Sequence, residues 1–204
     1  LKLGRYDEAI SILESVVQDD KSAALKLDLA RIYFQTKRFE RAVNLLEPLH
    51  RSMTQDKRAL NLLVQTYEES NQPDQAEAVV LAGLERWPND TQLASTYWRL
   101  LFNKGQQEAA ASHCKAFIGQ QTGSVPSLVA GLSFLTKVGD DLGCQEIFET
   151  LGSHAPHDEQ AVCASARYLL HLKDLFGAKR LLENARENGS DARKVDMLLS
   201  EVRF

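Results

Sequence analysis

The segment LVQTYEESNQPDQAEAVVLAGLERWPND, residues 63–90, contains two apolar stripes separated by a short polar stretch. Leu63 and Tyr67 are four residues apart, and Ala76 and Val80 repeat that spacing after the polar stretch. This spacing places each pair on one face of an amphipathic helix. The segment therefore predicts two helices of about 13 residues joined by three or four polar residues.

A small residue in the second of these helices recurs at a nearly constant interval along the chain. Its positions are Ala9, Ala42, Ala76, Ala110, Cys144 and Ala178, separated by 33, 34, 34, 34 and 34 residues. A small side chain lets two helix backbones approach closely, and a thiol packs as a small hydrophobe. Six positions in register indicate a repeat protein.

Other positions of the repeat agree with this interval. Five residues before the small residue comes a turn former or a polar substitute: Gly4, Lys37, Asn71, Gly105, Gly139 and Lys173. About nine residues before it comes an aromatic residue or leucine: Tyr33, Tyr67, Leu101, Leu135 and Leu169. Pro88 and Pro156 end their units twelve residues after it.

In these positions the whole chain resembles the tetratricopeptide repeat family, which has a 34-residue unit of two helices. The resemblance implies an all-α fold, a right-handed α-solenoid of stacked antiparallel helix pairs. We expect one solenoid domain over residues 1–204. Its parts are a partial repeat at 1–22, repeats at about 23–56, 57–90, 91–124, 125–158 and 159–190, and a capping helix at about 191–204.

Several residues should shape the ends of the helices. Pro48 should end or kink its helix near Glu47 and leave an irregular link over 48–55, because proline lacks the N–H of a helix interior. Asp90 and Ser124 are suited to cap the helices that follow them. Gly4 should form the turn before a helix that begins at Tyr6. The unpartnered face of that helix favours fraying or self-association with a second copy.

Composition excludes several classes of function. The chain has 204 residues, a formal net charge of −4 and no apolar run long enough to span a bilayer, which argues against a nucleic-acid binder and against direct membrane insertion. Cys114, Cys144 and Cys163 lack the spacing of a disulfide framework or zinc site. Localisation stays open between the cytoplasm and a bacterial periplasm.

No residue pattern predicts catalysis, a metal site or a cofactor. His154 and His157 in HAPH could offer two metal ligands, but no third ligand lies near in sequence, which favours an exposed loop between repeats. His113 and Cys114 are neighbours, yet adjacent helical side chains point about 100° apart and do not form a nucleophile–base pair. The sequence therefore predicts a protein that is not an enzyme.

The two tryptophans have structural and functional interpretations. Trp87 precedes Pro88 and should fill a junction between repeats rather than hold a ligand. Trp98 stands where the family usually has a small residue. Either its side chain rotates toward the groove, or the local register slips by one residue.

By resemblance to the family, the first helix of each pair lines a concave groove where peptides bind. The family's register places a series 34 residues apart in that groove: Arg31, Gln65, Arg99, Ser133 and Arg167. Neighbouring groove positions are Asp28, Phe34, Arg58, Asn61, Glu68, Ser95, Phe102, Asn103, Thr136, Lys137 and His171. The guanidinium groups of these arginines would bind carboxylates of a ligand bidentately. The alternative is that these charged residues only keep the face solvated.

The resemblance predicts an interaction scaffold or adaptor that binds a peptide or protein partner. Family members that bind the C-terminal tails of chaperones hold the terminal carboxylate with Lys or Asn, then Asn, then Lys or Arg in three successive repeats. The corresponding residues here do not match that pattern: Leu27, Arg31, Leu62, Gln92 and Thr96. Two alternatives remain open. One is a structural segment of a larger protein, such as a component of an envelope secretion or polysaccharide-export assembly. The other is a regulatory domain fused to a catalytic part outside this segment.

Overall fold

The computed structural model describes residues 2–19, 22–52, 57–121, 123–188 and 192–201. Over these ranges the chain is all-α, with twelve helices and no strand. The helices are α1 (Lys2–Asp19), α2 (Ala23–Gln35), α3 (Phe39–Ser52), α4 (Lys57–Glu69), α5 (Pro73–Arg86), α6 (Thr91–Asn103), α7 (Gln107–Gln120), α8 (Val125–Val138), α9 (Asp141–His154), α10 (Glu159–His171), α11 (Leu175–Glu187) and α12 (Ala192–Glu201). None of the helices in the described ranges is both long and apolar enough to cross a membrane.

Helices α2 to α11 form the predicted pairs, each helix having 13 or 14 residues. The chain divides into two compact units, Leu1–Pro88 with α1 to α5 and Asn89–Phe204 with α6 to α12. In unit 1, α2 packs against α4 as well as against its own partner α3. In unit 2, α8 packs against α6 and α10 in the same way. The expectation of one solenoid over all 204 residues stays a prediction.

The small residue of each repeat lies where two helices approach. Ala42 and Ala76 are fully buried in unit 1, and Ala110, Cys144 and Ala178 are buried in unit 2. Ala9, the first of the series, is half-buried. These burials confirm the register that the 34-residue interval predicts for the second helices.

The turn within each complete pair is fixed by one residue in the left-handed backbone region. The φ angles are +59° at Lys37, +57° at Asn71, +78° at Gly105, +84° at Gly139 and +61° at Lys173. At the first of these turns, Arg38 N–H donates to the Tyr33 carbonyl (2.8 Å) and Lys37 N–H donates to the Phe34 carbonyl (3.0 Å). These two bonds satisfy carbonyls that the end of a helix leaves open, as in a Schellman motif. The predicted turn positions are confirmed from residue 37 onward.

Two expectations about helix boundaries were wrong. Helix α3 continues through Pro48 to Ser52. Pro48 and Asn44 are both exposed, so water can reach the Asn44 carbonyl that proline leaves without its usual N–H donor. Residues 53–55 of the predicted link lie outside the described residues.

Helix α1 begins at Lys2 and passes through Gly4, since glycine tolerates helical backbone at a cost of about 1 kcal/mol.

The predicted N-terminal residues of two helices are in place. The Asp90 carboxylate accepts the N–H of Leu93 (2.9 Å) at the start of α6, which confirms its capping role. Ser124 is the residue before α8, but its side chain does not cap the helix. The Ser124 hydroxyl lies 3.0 Å from that of Ser127 instead.

Trp98 lies in the core of unit 2, and both expectations for it were wrong. Its side chain is 1% exposed, with its ring centroid 5.6 Å from those of Phe117 and Phe134. It therefore does not turn toward a groove. The equivalent residues 34 and 68 positions later, Leu132 and Ala166, are also buried, so the register does not slip.

Helix α12 covers the last pair of unit 2, as predicted. Val195 and Leu198 are buried against α10 and α11 in one apolar cluster with Val162, Ala166, Ala178, Leu182 and Ala185. Without α12 this cluster would face water, which is the problem that a terminal cap of stacked repeats solves. Residues 202–204 of the predicted cap lie outside the described residues.

Candidate functional site

In unit 1 the predicted groove residues lie on the neighbouring helices α2 and α4. The Arg31 and Gln65 side chains are exposed, and Asn61 is half-buried. Phe34 is half-buried with its ring centroid 6.1 Å from that of Phe39, so much of its surface packs against the helix that follows. This surface of unit 1 therefore offers polar groups with little apolar area between them.

In unit 2 the predicted groove residues lie on α6, α8 and α10, where Arg99, Asn103, Ser133 and Arg167 are exposed. We call the exposed side of these three helices the first-helix surface of unit 2. Its polar groups stand beside a pocket, which the next paragraphs describe.

The aromatic part of the first-helix surface is already engaged within the chain. The Phe102 ring packs on Phe134 with ring centroids 6.3 Å apart, and Lys137 Nζ lies 4.7 Å from the centre of the Phe102 ring. The Thr136 hydroxyl donates to the Leu132 carbonyl (2.7 Å) and lies 3.5 Å from Cys144 Sγ. Thr136 thus points toward the helix pair's interior rather than toward a ligand.

Helices α8, α10 and α12 enclose a pocket of about 340 Å³, which we call the α8–α10–α12 pocket. This volume lies at the small end of the range for ligand sites. Its apolar wall comes from Val129, Ala164 and Leu198, with Met197, which is 53% exposed, at its edge. The polar lining residues are Ser133, Glu159, Gln160, Cys163 and Arg167. An apolar cavity with a few polar groups at its margin can hold one side chain of a partner and orient the polar groups beside it.

The charges of the first helices of unit 2 are mostly positive. Arg99, Lys137 and Arg167 are the Lys and Arg residues of α6, α8 and α10, and Glu159 is their one carboxylate. The following second helix α9 carries only carboxylates: Asp141, Glu146 and Glu149. The first helices of unit 2 therefore carry more positive than negative side chains, although the chain as a whole has a net charge of −4.

Sequence reasoning included Ser133 and Arg167 but missed the other seven lining residues of this pocket, three of which follow the repeat interval. Val129, Cys163 and Met197 follow Ser95 at intervals of 34 residues. Extending the register of Ser95 through the rest of the chain would have found all three. The helix that supplies Met197 was expected to act only as a cap, so its contribution to a pocket was not anticipated.

The residues considered for catalysis do not form a catalytic arrangement. Cys114 is fully buried, and burial raises the pKa of its thiol to about 12. His113 is exposed and packs edge-on against Tyr97, with ring centroids 5.1 Å apart. His154 and His157 are both exposed, and no cluster of three or more His, Cys, Asp or Glu side chains in the described ranges could hold a metal ion.

Comparison with known proteins shows which solved structures have a similar fold. Residues 1–63 match the family model described as tetratricopeptide repeat. A tetratricopeptide repeat protein from Parabacteroides merdae is 15% identical with a TM-score of 0.61, covering 98% of this chain and 80% of that chain. Yeast Tom70 is 14% identical with a TM-score of 0.62, covering 96% of this chain and 42% of that chain. A TPR protein from Thermus thermophilus is 16% identical with a TM-score of 0.57, covering 89% and 98%.

At these identities the solved structures show the fold, and they confirm the resemblance on which the sequence analysis rested. No curated protein sequence gave a significant match. Solenoid repeat proteins have extended concave surfaces that serve for binding.

Proposed function

We propose, from the tetratricopeptide repeat fold that this chain has and from the family match over residues 1–63, that the protein is a non-catalytic interaction scaffold. Its ligand is an extended peptide or protein segment that binds along the first helices of the repeats. In this proposal each unit has its own ligand contacts, which in unit 1 are Arg31, Gln65, Phe34 and Asn61 and in unit 2 are Arg99, Arg167, Phe102 and Asn103.

The observation that carries the proposal is the α8–α10–α12 pocket, because it joins an apolar cavity to an exposed cation. Val129, Ala164 and Met197 supply the surface against which an apolar ligand side chain would lose contact with water. Arg167 lies at the same cavity and presents a guanidinium group that can hold a carboxylate through two parallel hydrogen bonds. The ligand class is therefore a peptide with an apolar side chain next to an acidic residue or a C-terminal carboxylate.

The test is selection from a random peptide library displayed on phage, followed by fluorescence anisotropy with the selected peptides. We expect the wild-type protein to enrich peptides with an apolar residue beside a carboxylate. Arg167→Glu should lose binding to them, since truncation or reversal of an interface arginine commonly reduces affinity by about thirtyfold or more. The matched control is Arg180→Glu, which reverses an exposed arginine on α11 away from the pocket. Equal binding by the Arg167 and Arg180 variants, with unchanged helicity, would refute the proposed site.

The exposed apolar side chains of α1 support a second role, self-association through that helix. Ile12 is 63% exposed, and Tyr6 and Val16 are also exposed. Ile12 and Val16 are four residues apart and share one face of the helix, and exposed apolar surface of this kind commonly marks an interface. Sedimentation velocity would show this role as a concentration-dependent mass that Ile12→Glu lowers; a mass unaffected by that change would exclude α1 as the contact.

A further inference from the structure

Phe176, at the start of α11, is a large apolar side chain that unit 2 leaves 73% exposed. The equivalent residues of the third and fourth repeats are Asp74 and Glu108, which suit the positive end of a helix. Leu172, four residues before Phe176, is 48% exposed. The sixth repeat therefore has an aromatic side chain where the third and fourth repeats have an acidic residue and the fifth has Leu142, and most of this aromatic side chain is exposed.

A cleft with a volume of about 300 Å³ lies between α7 and α9 of the same unit. We call it the α7–α9 cleft. Ile118, Leu128 and Ile147 supply its apolar surface, and Gly119 lines one side. A Cβ atom on Gly119 would have no neighbour within 4 Å. Because glycine near the end of a helix costs stability relative to a residue with a side chain, and no contact within the chain requires it, the space beside Gly119 is open for an external group.

The charges around the aromatic residue and the cleft are complementary. Lys173 and Arg180 lie three and four residues from Phe176, on α11 and its preceding turn. Lys179 is paired with Glu183 on the same helix (3.8 Å), and the Asp174 carboxylate accepts the N–H of Gly177 at the helix start. Glu146 lines the cleft and is exposed. Lys115 lines it too, but its ammonium group is held by the Asp140 carboxylate (2.8 Å), which offsets its charge.

Two other exposed apolar side chains, Leu142 and Ile12, do not match the cleft in charge. Leu142 is 78% exposed and directly follows Asp141, whereas the charge of Asp140 is offset by Lys115. Ile12 lies on α1 with Glu8 one turn before it. Carboxylates beside these residues would face Glu146, and like charges brought together at an interface oppose binding. Phe176 differs from these two residues because Lys173 and Arg180 lie three and four residues from it.

We infer that the α7–α9 cleft binds Phe176 and Leu172 of a second copy of this chain. The two surfaces are different, so the contact is heterologous. Each copy carries one inserting side chain, Phe176, which we call the plug, and one cleft. Copies therefore join in a row rather than only in pairs. The aromatic side chain supplies most of the buried apolar surface, and Lys173 or Arg180 faces Glu146 of the neighbouring copy.

The experiment is sedimentation velocity over a wide concentration range, in an Ile12→Glu background so that α1 does not contribute. The parent should increase in mass with concentration beyond a dimer. Phe176→Ala should weaken association by about thirtyfold, the usual minimum effect of removing an interface anchor. Gly119→Leu should also abolish association by filling the cleft, and it should spare the fold because a Cβ atom at residue 119 has no neighbour within 4 Å.

Mixing two blocked variants gives the decisive readout. Phe176→Glu keeps an intact cleft and Gly119→Leu keeps an intact plug, so the mixture should form one-to-one heterodimers and nothing larger. The matched control, Leu142→Glu, changes an equally exposed residue and should associate like the parent. The inference is overturned if the parent is monomeric at every concentration, or if Leu142→Glu blocks association as Phe176→Glu does. It is also overturned if the mixture stays monomeric while circular dichroism shows that both variants are folded.

Discussion

Ile118 of α7 occupies the space beside Gly131 of α8 that a side chain at residue 131 would need. A Cβ atom on Gly131 would lie 2.1 Å from Ile118 Cδ1 and 3.4 Å from Ile147 Cδ1. Trp98 and Phe117 are large side chains of the same unit, and a glycine on α8 lets α7 come close despite them. A residue that would ordinarily weaken a helix is therefore required here by packing.

Gly131→Leu should lower the free energy of unfolding by about 1–3 kcal/mol, because the new side chain overpacks the contact with Ile118. Urea denaturation followed by circular dichroism measures the change. Gly131→Leu combined with Ile118→Ala should recover part of the loss, since the second change removes the obstructing atoms. If the double variant loses the full sum of the two single losses, the two residues do not compete for one space.

Ala76→Leu should destabilise unit 1 by about 1–3 kcal/mol, because Ala76 is fully buried where α5 meets its neighbours. The control is Gln75→Leu, which adds the same side chain at the adjacent exposed position. That control should change stability by no more than about 0.5 kcal/mol. Equal effects of the two substitutions would show that the small residue of the repeat is not what allows close packing.

The regular positions of the repeat could be predicted because one backbone geometry sets them all. Each turn must leave its helix through the left-handed region, and the small residue must allow two backbones to approach, so both recur whatever the rest of the unit contains. Whether α3 continues through Pro48 depends on whether water reaches the Asn44 carbonyl. A sequence pattern does not show this. The position of Trp98 depended on space made by residues of α7 and α8, which are distant in sequence.

The candidate site was predictable in part for the same reason. Ser133 and Arg167 follow the interval, and the interval also leads to Val129, Cys163 and Met197. That these residues enclose a cavity depends on how closely α8, α10 and α12 pack. Side-chain volumes determine that distance, and the interval alone does not.

Lys173→Gly should raise the free energy of unfolding by about 1 kcal/mol. Lys173 has a φ of +61°, where the side chain of an L-residue is strained by about 1–2 kcal/mol, and glycine relieves that strain at some cost in chain entropy. Gly105→Ala is the reciprocal test, since Gly105 has a φ of +78° and its Cβ would meet nothing within 4 Å. It should lower stability by a similar amount; a neutral result would show that the backbone conformation at these turns is not what selects glycine.

His50 should make unit 1 less stable as the pH falls below about 6.5. Its side chain is buried on α3, and burial lowers the pKa of the imidazole from its ordinary 6.5, with the cations Arg86 and Arg51 acting in the same direction and Glu47 opposing them. In the unfolded chain the imidazole takes up a proton near pH 6.5, whereas the folded protein resists it until a lower pH. The unfolded state therefore binds more protons between those two values, so the contribution of neutral His50 is complete above about pH 6.5 and is lost as the pH falls through the folded-state pKa.

The measurement for His50 is the free energy of unfolding from urea denaturation at pH 7.5 and at pH 5, for the wild-type protein and for His50→Gln. Other groups titrate over this range in both proteins, so the quantity that reports on residue 50 is the difference between them. Wild type should lose more stability on acidification than the glutamine variant, which cannot take up this proton. An NMR titration of the imidazole should place its pKa below 6.5. If the two proteins lose equal stability between pH 7.5 and pH 5, protonation of His50 is not linked to unfolding, and its burial does not disfavour the charged form.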